Sequence, residues 1–226
     1  MKKVFLNGSE SINSEIMEIL SGKAEFTSEI ASADILINST NYPSYEKSEE
    51  LQYMESQTSV NIPIFTSSLC ESVSEQSALL ENPERLIGIG LYDTFTKAKR
   101  LEIAPSKITD AEILKNAENF LNEAGLVYSI VPDRVGLIFP RIVSMIINEA
   151  VQVYSEKIAA KEDIDTAMKL GTNYPYGPLE WADRLSAGLV YNILSALQRD
   201  LGEDRYRPHP ALKEMMLLNK KFYGNN

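Results

Sequence analysis

The sequence predicts an α/β domain followed by an all-α domain. Three observations carry that expectation. Short apolar runs alternate with helical patterns over the first 133 residues, which implies a largely parallel sheet with crossover helices. After Pro132-Asp133 a 3.6-residue periodicity takes over and helix follows helix. The composition, 44% hydrophobic and 24% charged, is that of an ordinary globular chain. The expected division is residues 1–133 and 134–226.

The first extended run is "KVFLN" (3–7). "SINSEIMEILSG" then sets Ile12, Ile16, Ile19 and Leu20 on one helical face, with Gly22 at the expected C-cap. "ADILINST" (33–40) is a second strand, "SYEKSEELQYMES" a surface helix and "NIPIFTSS" (61–68) a third strand. "RLIGIGLYD" gives a fourth and "KRLEIAP" (99–105) a fifth, ended by Pro105. Thr109 and Glu112 form a candidate capping box for a helix that buries Ile113, Ala117, Phe120 and Leu121 and stops at Gly125. "LVYSIVPD" (126–133) closes the half as a strand. In the second half, residues 136–158 place Ile138, Ile142, Met145, Ile146 and Val153 at helical spacing. In "GTNYPYGP" (171–178), Gly171 is read as ending one helix and Pro178 as opening the next. No internal repeat or low-complexity tract stands out.

The net charge of −10 argues against a nucleic-acid partner, since no basic patch is dense enough to displace phosphate counterions. The single cysteine, Cys70, rules out an internal disulfide and fits a reducing compartment. No leader and no membrane-spanning run are visible, so a cytoplasmic location without a membrane partner is expected. No cluster has metal-ligand spacing, and no metal site is expected.

Four stretches bear on chemistry. "NGSESINSE" stands where a strand meets a helix, as a dinucleotide-binding turn would. Such a turn uses three glycines to bring backbone up to a pyrophosphate. Gly8 is the only one here; Glu10 and Asn13 hold the other two places, and a carboxylate at the middle place fills the space and repels phosphate. A plain strand-to-helix turn is the simpler reading. "FTSSLCES" (65–72) puts Ser67 and Ser68 at a strand end, either as helix caps or as donors to a substrate oxygen. Glu102, inside "RLEIA", is either an outward residue of an edge strand or a carboxylate that orients an imidazole. The one histidine, His209, lies in a proline-flanked loop and reads as a surface residue. "EDIDTAMKLGTNYPYGPLEWADRL" (162–185) is the most specific text. Taken alone it is a well-punctuated helix–turn–helix, with acidic residues 162, 163 and 165 favouring a helix N-terminus.

Together these residues resemble the 3-hydroxyacyl-CoA dehydrogenase family. "INEAVQVYSE", "EDIDTAMKLG", "YPYGPLEWAD", "LGEDRYRPHPAL" and "LKEM" stand in family order through residues 142–216. The likeness extends back through "NPERLIGIG", "LEI" and "IVPDRVGLIFPR". The resemblance implies a Rossmann-type NAD domain joined to a helical domain that usually dimerises, with an acyl-CoA site. "FTSSL" matches the family's "NTSSL" and assigns the substrate-binding serine to Ser67. The family's catalytic histidine, in "GLHFFNP", falls on Gly90 of "GIGLYDT". Glu102 stands at the spacing of the glutamate that orients that histidine. The asparagine of "GFVVNR" falls on Pro140 of "GLIFPR", followed by a retained Arg141. The N-terminus is shorter than the family pattern and is expected to lack the strand with the ribose-binding acid. The C-terminus ends at "NKKFYGNN", an abbreviated form of the family's "GFY" ending.

Glycine offers no titratable group and proline no donor. The expectation is therefore a family member that has lost standard NAD-dependent hydride transfer while keeping a homodimer scaffold or an acyl-CoA cleft. NAD is the cofactor the family implies, and Gly8 is the one residue of this chain matched to it. Two alternatives stay open. One is a working 3-hydroxyacyl-CoA dehydrogenase using Ser67 and Glu102, with Glu102 itself taking the proton. The other is an interaction module for a β-oxidation partner.

Overall fold

The computed structural model describes residues 1–98 and 100–224. Lys99, which opens the expected run 99–105, and the last two residues of "NKKFYGNN" lie outside the described residues. The chain folds as two compact units, Met1–Leu137 and Ile138–Asn226.

The first unit holds a seven-stranded sheet in the order β2-β1-β3-β4-β5-β6-β7. Its strands are β1 (Lys2–Asn7), β2 (Ala24–Phe26), β3 (Ile35–Asn38), β4 (Ile64–Ser67), β5 (Leu86–Ile89), β6 (Leu101–Pro105) and β7 (Tyr128–Ile130). Pairing is parallel from β2 through β5 and antiparallel between β5 and β6; β6 and β7 run parallel to each other. Helices α1 (Glu10–Ile19), α2 (Tyr45–Ser56), α3 (Val73–Gln76) and α4 (Ala111–Glu123) complete the unit.

The central strands β3, β4 and β5 are buried at every position because both faces are covered, and they are apolar except at Asn38, Thr66, Ser67 and Gly88 toward their C-terminal ends. Leu36, Ile64 and Leu86 join Leu51 and Met54 of α2 on one face. Ile37, Phe65 and Ile89 point to the other, where Ile16 of α1 and Phe120 of α4 enclose the same apolar gap. This is a Rossmann-like arrangement with helices on both sides of a mostly parallel sheet.

Three expectations change. A strand does follow α1: β2 pairs with β1 through Lys2↔Ala24 and Val4↔Phe26. What is shortened is its return to β3, a single 3₁₀ turn at Ile30–Ser32 in place of a helix. Helix α4 is capped by Asp110, whose carboxylate accepts from Glu112 N (2.8 Å) and Ile113 N (3.1 Å). Thr109 instead binds Ser106 N and the Leu86 carbonyl. Serines 67 and 68 cap nothing; α3 is capped by Ser72, with Asp133 accepting from Val73 N (2.7 Å) and Ser74 N (2.9 Å).

The second unit is helical: α5 (Phe139–Ser155), α6 (Lys161–Thr172), α7 (Pro178–Leu185), α8 (Ala187–Leu201) and α9 (Pro210–Leu218). Val143, Ile147 and Val151 of α5 are buried, as are Leu179 and Trp181 of α7 and Ile193, Leu194 and Leu197 of α8. Trp181 meets Phe139 and Tyr176 edge-on at centroid distances of 5.5 and 5.0 Å. Gly171 does not end α6: the helix runs on to Thr172, and Asn173 takes the left-handed C-cap. Among the described residues no helix is long and apolar enough to cross a membrane.

Candidate active site

Because β1, β3, β4 and β5 are parallel, Asn7, Asn38, Ser67 and Ile89 come to one edge of the sheet, where open α/β folds bind ligands. Ser67 ends β4 and is fully buried. Its hydroxyl donates to Asn41 Oδ1. Its carbonyl accepts from Lys47 Nζ (2.7 Å) and Gln76 Nε2 (3.1 Å).

Lys47 is a buried ammonium on α2. Burial lowers its pKa to about 8, against the attraction of Glu71, Cys70 and Glu50. Sequence reasoning missed both Lys47 and Asn41. The signal was faint: Lys47 is the one cation of α2, among Glu46, Glu49, Glu50 and Glu55.

Gly90 follows β5 directly, and its amide donates to the Glu102 carbonyl (2.9 Å). The backbones of the two positions are therefore side by side. A Cβ on Gly90 would lie 3.7 Å from Glu102 Cβ but only 3.1 Å from Leu137 Cδ1, so a leucine crowds the space a larger side chain would need. Glu102 is half-buried on β6, which lies inside the sheet between β5 and β7; it is not on an edge strand. The buried Tyr92 has its pKa raised, first by burial and then by Glu102 and Glu15.

At the first turn, Gly8 adopts φ +103°, a conformation that favours glycine. It also packs against the end of the neighbouring strand: a Cβ there would meet Thr40 N at 2.6 Å and Thr40 Oγ1 at 2.7 Å, so only glycine fits. Asn13 accepts from Ser39 Oγ (2.7 Å). Glu10 stands in the first turn of α1, and Ser11 Oγ donates to Asp93 Oδ1 (2.5 Å). A pyrophosphate at this turn would meet the carboxylates of Glu10 and Asp93. Past β2 the chain continues with Thr27, whose hydroxyl serves Glu29 N (3.0 Å) and Ser32 Oγ (3.1 Å). The place where a ribose-binding acid would stand is thus a hydroxyl engaged in a local turn.

Pro140 and Arg141 belong to the second unit. Pro140 is buried in the first turn of α5, where its missing N–H costs the helix nothing. Arg141 lies over the Tyr206 ring, 5.1 Å from its centroid, and donates to the Tyr206 hydroxyl. His209 caps α9, its Nδ1 accepting from Ala211 N (3.2 Å). The "EDID…GPLEW" text is architectural. Asp165 is buried, and its carboxylate accepts from Leu179 N (2.8 Å), Glu180 N (3.0 Å) and Tyr223 OH (2.9 Å). It caps α7 from α6, a role missed in the sequence, where it reads as a first-turn acid of its own helix. Gly177 is required beside it, since any Cβ there would overlap the Asp165 side chain. Among the described residues no three His, Cys, Asp or Glu side chains gather as a metal site.

Comparison with known proteins agrees with this architecture. Residues 136–223 match the family model of the 3-hydroxyacyl-CoA dehydrogenase C-terminal domain. A 3-hydroxybutyryl-CoA dehydrogenase of Clostridioides difficile is 32% identical over 155 residues, 69% of this chain and 54% of that protein. A 3-hydroxyadipyl-CoA dehydrogenase of Escherichia coli is 37% identical over 124 residues, 55% of this chain and 26% of that protein. These matches thus span about half of the first relative and about a quarter of the second. Among solved structures, the (S)-3-hydroxybutyryl-CoA dehydrogenase of Ralstonia eutropha superposes with a TM-score of 0.79 at 19% identity, over 97% of this chain and 94% of that one. FadB2 of M. tuberculosis gives 0.82 at 17% identity, over 99% and 90%. At such identities the structural likeness speaks for the fold. Taken with the matched helical domain and the sequence relatives, it leads to one conclusion: the chain belongs to the 3-hydroxyacyl-CoA dehydrogenase family.

Proposed function

We propose that this chain is a 3-hydroxyacyl-CoA dehydrogenase family member that does not carry out NAD-dependent hydride transfer, and that it serves as a dimeric scaffold with an acyl-CoA-type ligand. One observation carries the reading: the position of the base is Gly90, with Leu137 Cδ1 3.1 Å from where its Cβ would stand. General-base assistance is worth about 10²–10⁴ in rate, and no imidazole stands beside Glu102 to supply it. The residues at the first turn do not fit NAD either. Glu10 and Asp93 present negative charge where the pyrophosphate would sit. Ser67 retains its place, but its proton goes to Asn41.

The homodimer is assigned to the helical unit, whose surface leaves Ile142, Leu170, Leu217 and Leu218 exposed. The experiment is calorimetric titration of the full chain with NADH and, separately, with acetoacetyl-CoA. The reading predicts heat from the thioester and none from NADH. Silence from both favours an interaction module; saturable NADH binding favours a working dehydrogenase. Light scattering that returns the mass of a single 25.3 kDa chain contradicts the dimer.

A further inference from the structure

Resting on the reading that the first unit does not use NAD, we infer that the unit occupies its own dinucleotide crevice. The loop after β5 latches onto α1 and sets the Asp93 carboxylate in the first helical turn, where the cofactor's phosphates would bind. A helix N-terminus draws anions through its free amides and its dipole, and the crevice of an open α/β sheet uses that attraction for phosphate. Here Ser9, the N-cap of α1, makes no side-chain cap, and the nearby anion is Asp93, 82 positions from its partner Ser11.

The latch has two further bonds, both to Glu15 one turn on. Its Oε1 accepts from Thr94 N (2.5 Å) and its Oε2 from Thr96 Oγ1 (2.9 Å). Between them Phe95 is buried and lines the same apolar gap as Ile16 and Leu20 of α1 and Phe120 of α4. Thr94 has φ +71°, a left-handed conformation disfavoured for a branched residue. Its hydroxyl is buried with no hydrogen-bond partner among the described residues. Such strain persists only where surrounding contacts over-determine it, as the Asp93, Phe95 and Glu15 contacts do here. Gly8 itself packs against Thr40 just past the end of β3, where a Cβ would meet Thr40 N at 2.6 Å. The loop, the helix and the strand end together leave carboxylates where a pyrophosphate needs donors. A dinucleotide has to break Ser11–Asp93 before it can reach α1.

The test uses the full chain carrying Glu10→Gly, Asp93→Asn and Glu15→Gln, titrated with NADH beside the wild type, with the fold checked by circular dichroism. The latch predicts NADH binding at least about tenfold tighter in the variant. No gain in a folded variant, with a wild type that also fails to reduce acetoacetyl-CoA, overturns the latch alone. A wild type that does reduce acetoacetyl-CoA overturns the functional reading beneath it. Should the variant not fold, amide exchange on the wild type decides. The latch predicts a protected Thr94 amide whose exchange NADH leaves unchanged. An unprotected Thr94 amide, or NADH-dependent slowing in α1, overturns the latch.

Discussion

Gly90→His, which puts an imidazole at the position that the family resemblance assigns to the base, tests the crowding there. The backbone poses no obstacle, because Gly90 is not among the positive-φ glycines. The cost is steric: the new Cβ starts 3.1 Å from Leu137 Cδ1 and 3.7 Å from Glu102 Cβ, and the imidazole extends beyond it. Leu137 is 5% exposed and held at φ +50°, so its backbone has little freedom to retreat. Overpacking of this kind costs about 1–3 kcal/mol. Leu137→Ala alone costs about 2–5 kcal/mol through the cavity it leaves. In the double variant the imidazole fills part of that cavity, and the cycle shows a favourable coupling of about 1–2 kcal/mol. Urea unfolding followed by circular dichroism, with the slope unchanged between variants, gives all four stabilities. A neutral Gly90→His, or strictly additive effects in the double variant, refutes the crowding. Neither Gly90→His nor the double variant reduces acetoacetyl-CoA, since without a held nicotinamide there is no hydride donor for the imidazole to assist.

Lys47 gives a pH prediction. Its folded pKa, about 8, lies below the ordinary 10.5, so between those values the unfolded chain binds more protons and stability rises with pH. The Lys47 contribution is least favourable below pH 8 and improves by at most about 1.4 kcal/mol per pH unit above it. The stability of the wild type minus that of Lys47→Met, followed from pH 7 to 9.5, shows that rise; a flat difference contradicts it. In the helical unit, Asp165→Ala orphans Leu179 N, Glu180 N and Tyr223 OH. Losing the cap costs about 1 kcal/mol and stranding buried donors adds about 1–3 kcal/mol, for a total near 3 kcal/mol. Asp165→Asn, which keeps one acceptor, loses less. Denaturant titration measures both, and an Asp165→Ala loss below about 1 kcal/mol contradicts the capping role.

The alternation of apolar runs and helical patterns was legible because doubly covered strands are largely apolar and amphipathic helices repeat at 3.6 residues. Strand β2 escaped notice because it has only three residues, with a glutamate at its centre. The α4 cap shifted by one residue because Thr109 and Asp110 are both good caps, and only the Leu86 carbonyl decides which one turns away. The resemblance in sequence is what assigns family positions to Ser67, Gly90, Glu102 and Pro140. What fills the space around them could not be read there. Leu137 against Gly90, Thr40 against Gly8 and Asp93 on Ser11 are long-range contacts that no local pattern encodes. Lys47 reads as one more solvated lysine of a surface helix until its helix is laid on β4 and the ammonium meets the Ser67 carbonyl.

The most direct test of the account is NADH absorbance in the presence of acetoacetyl-CoA and increasing amounts of the full chain. The account predicts a decay no faster than the blank at any protein concentration. A decay proportional to added protein, and abolished by Ser67→Ala or Glu102→Ala, would show a working dehydrogenase and contradict it.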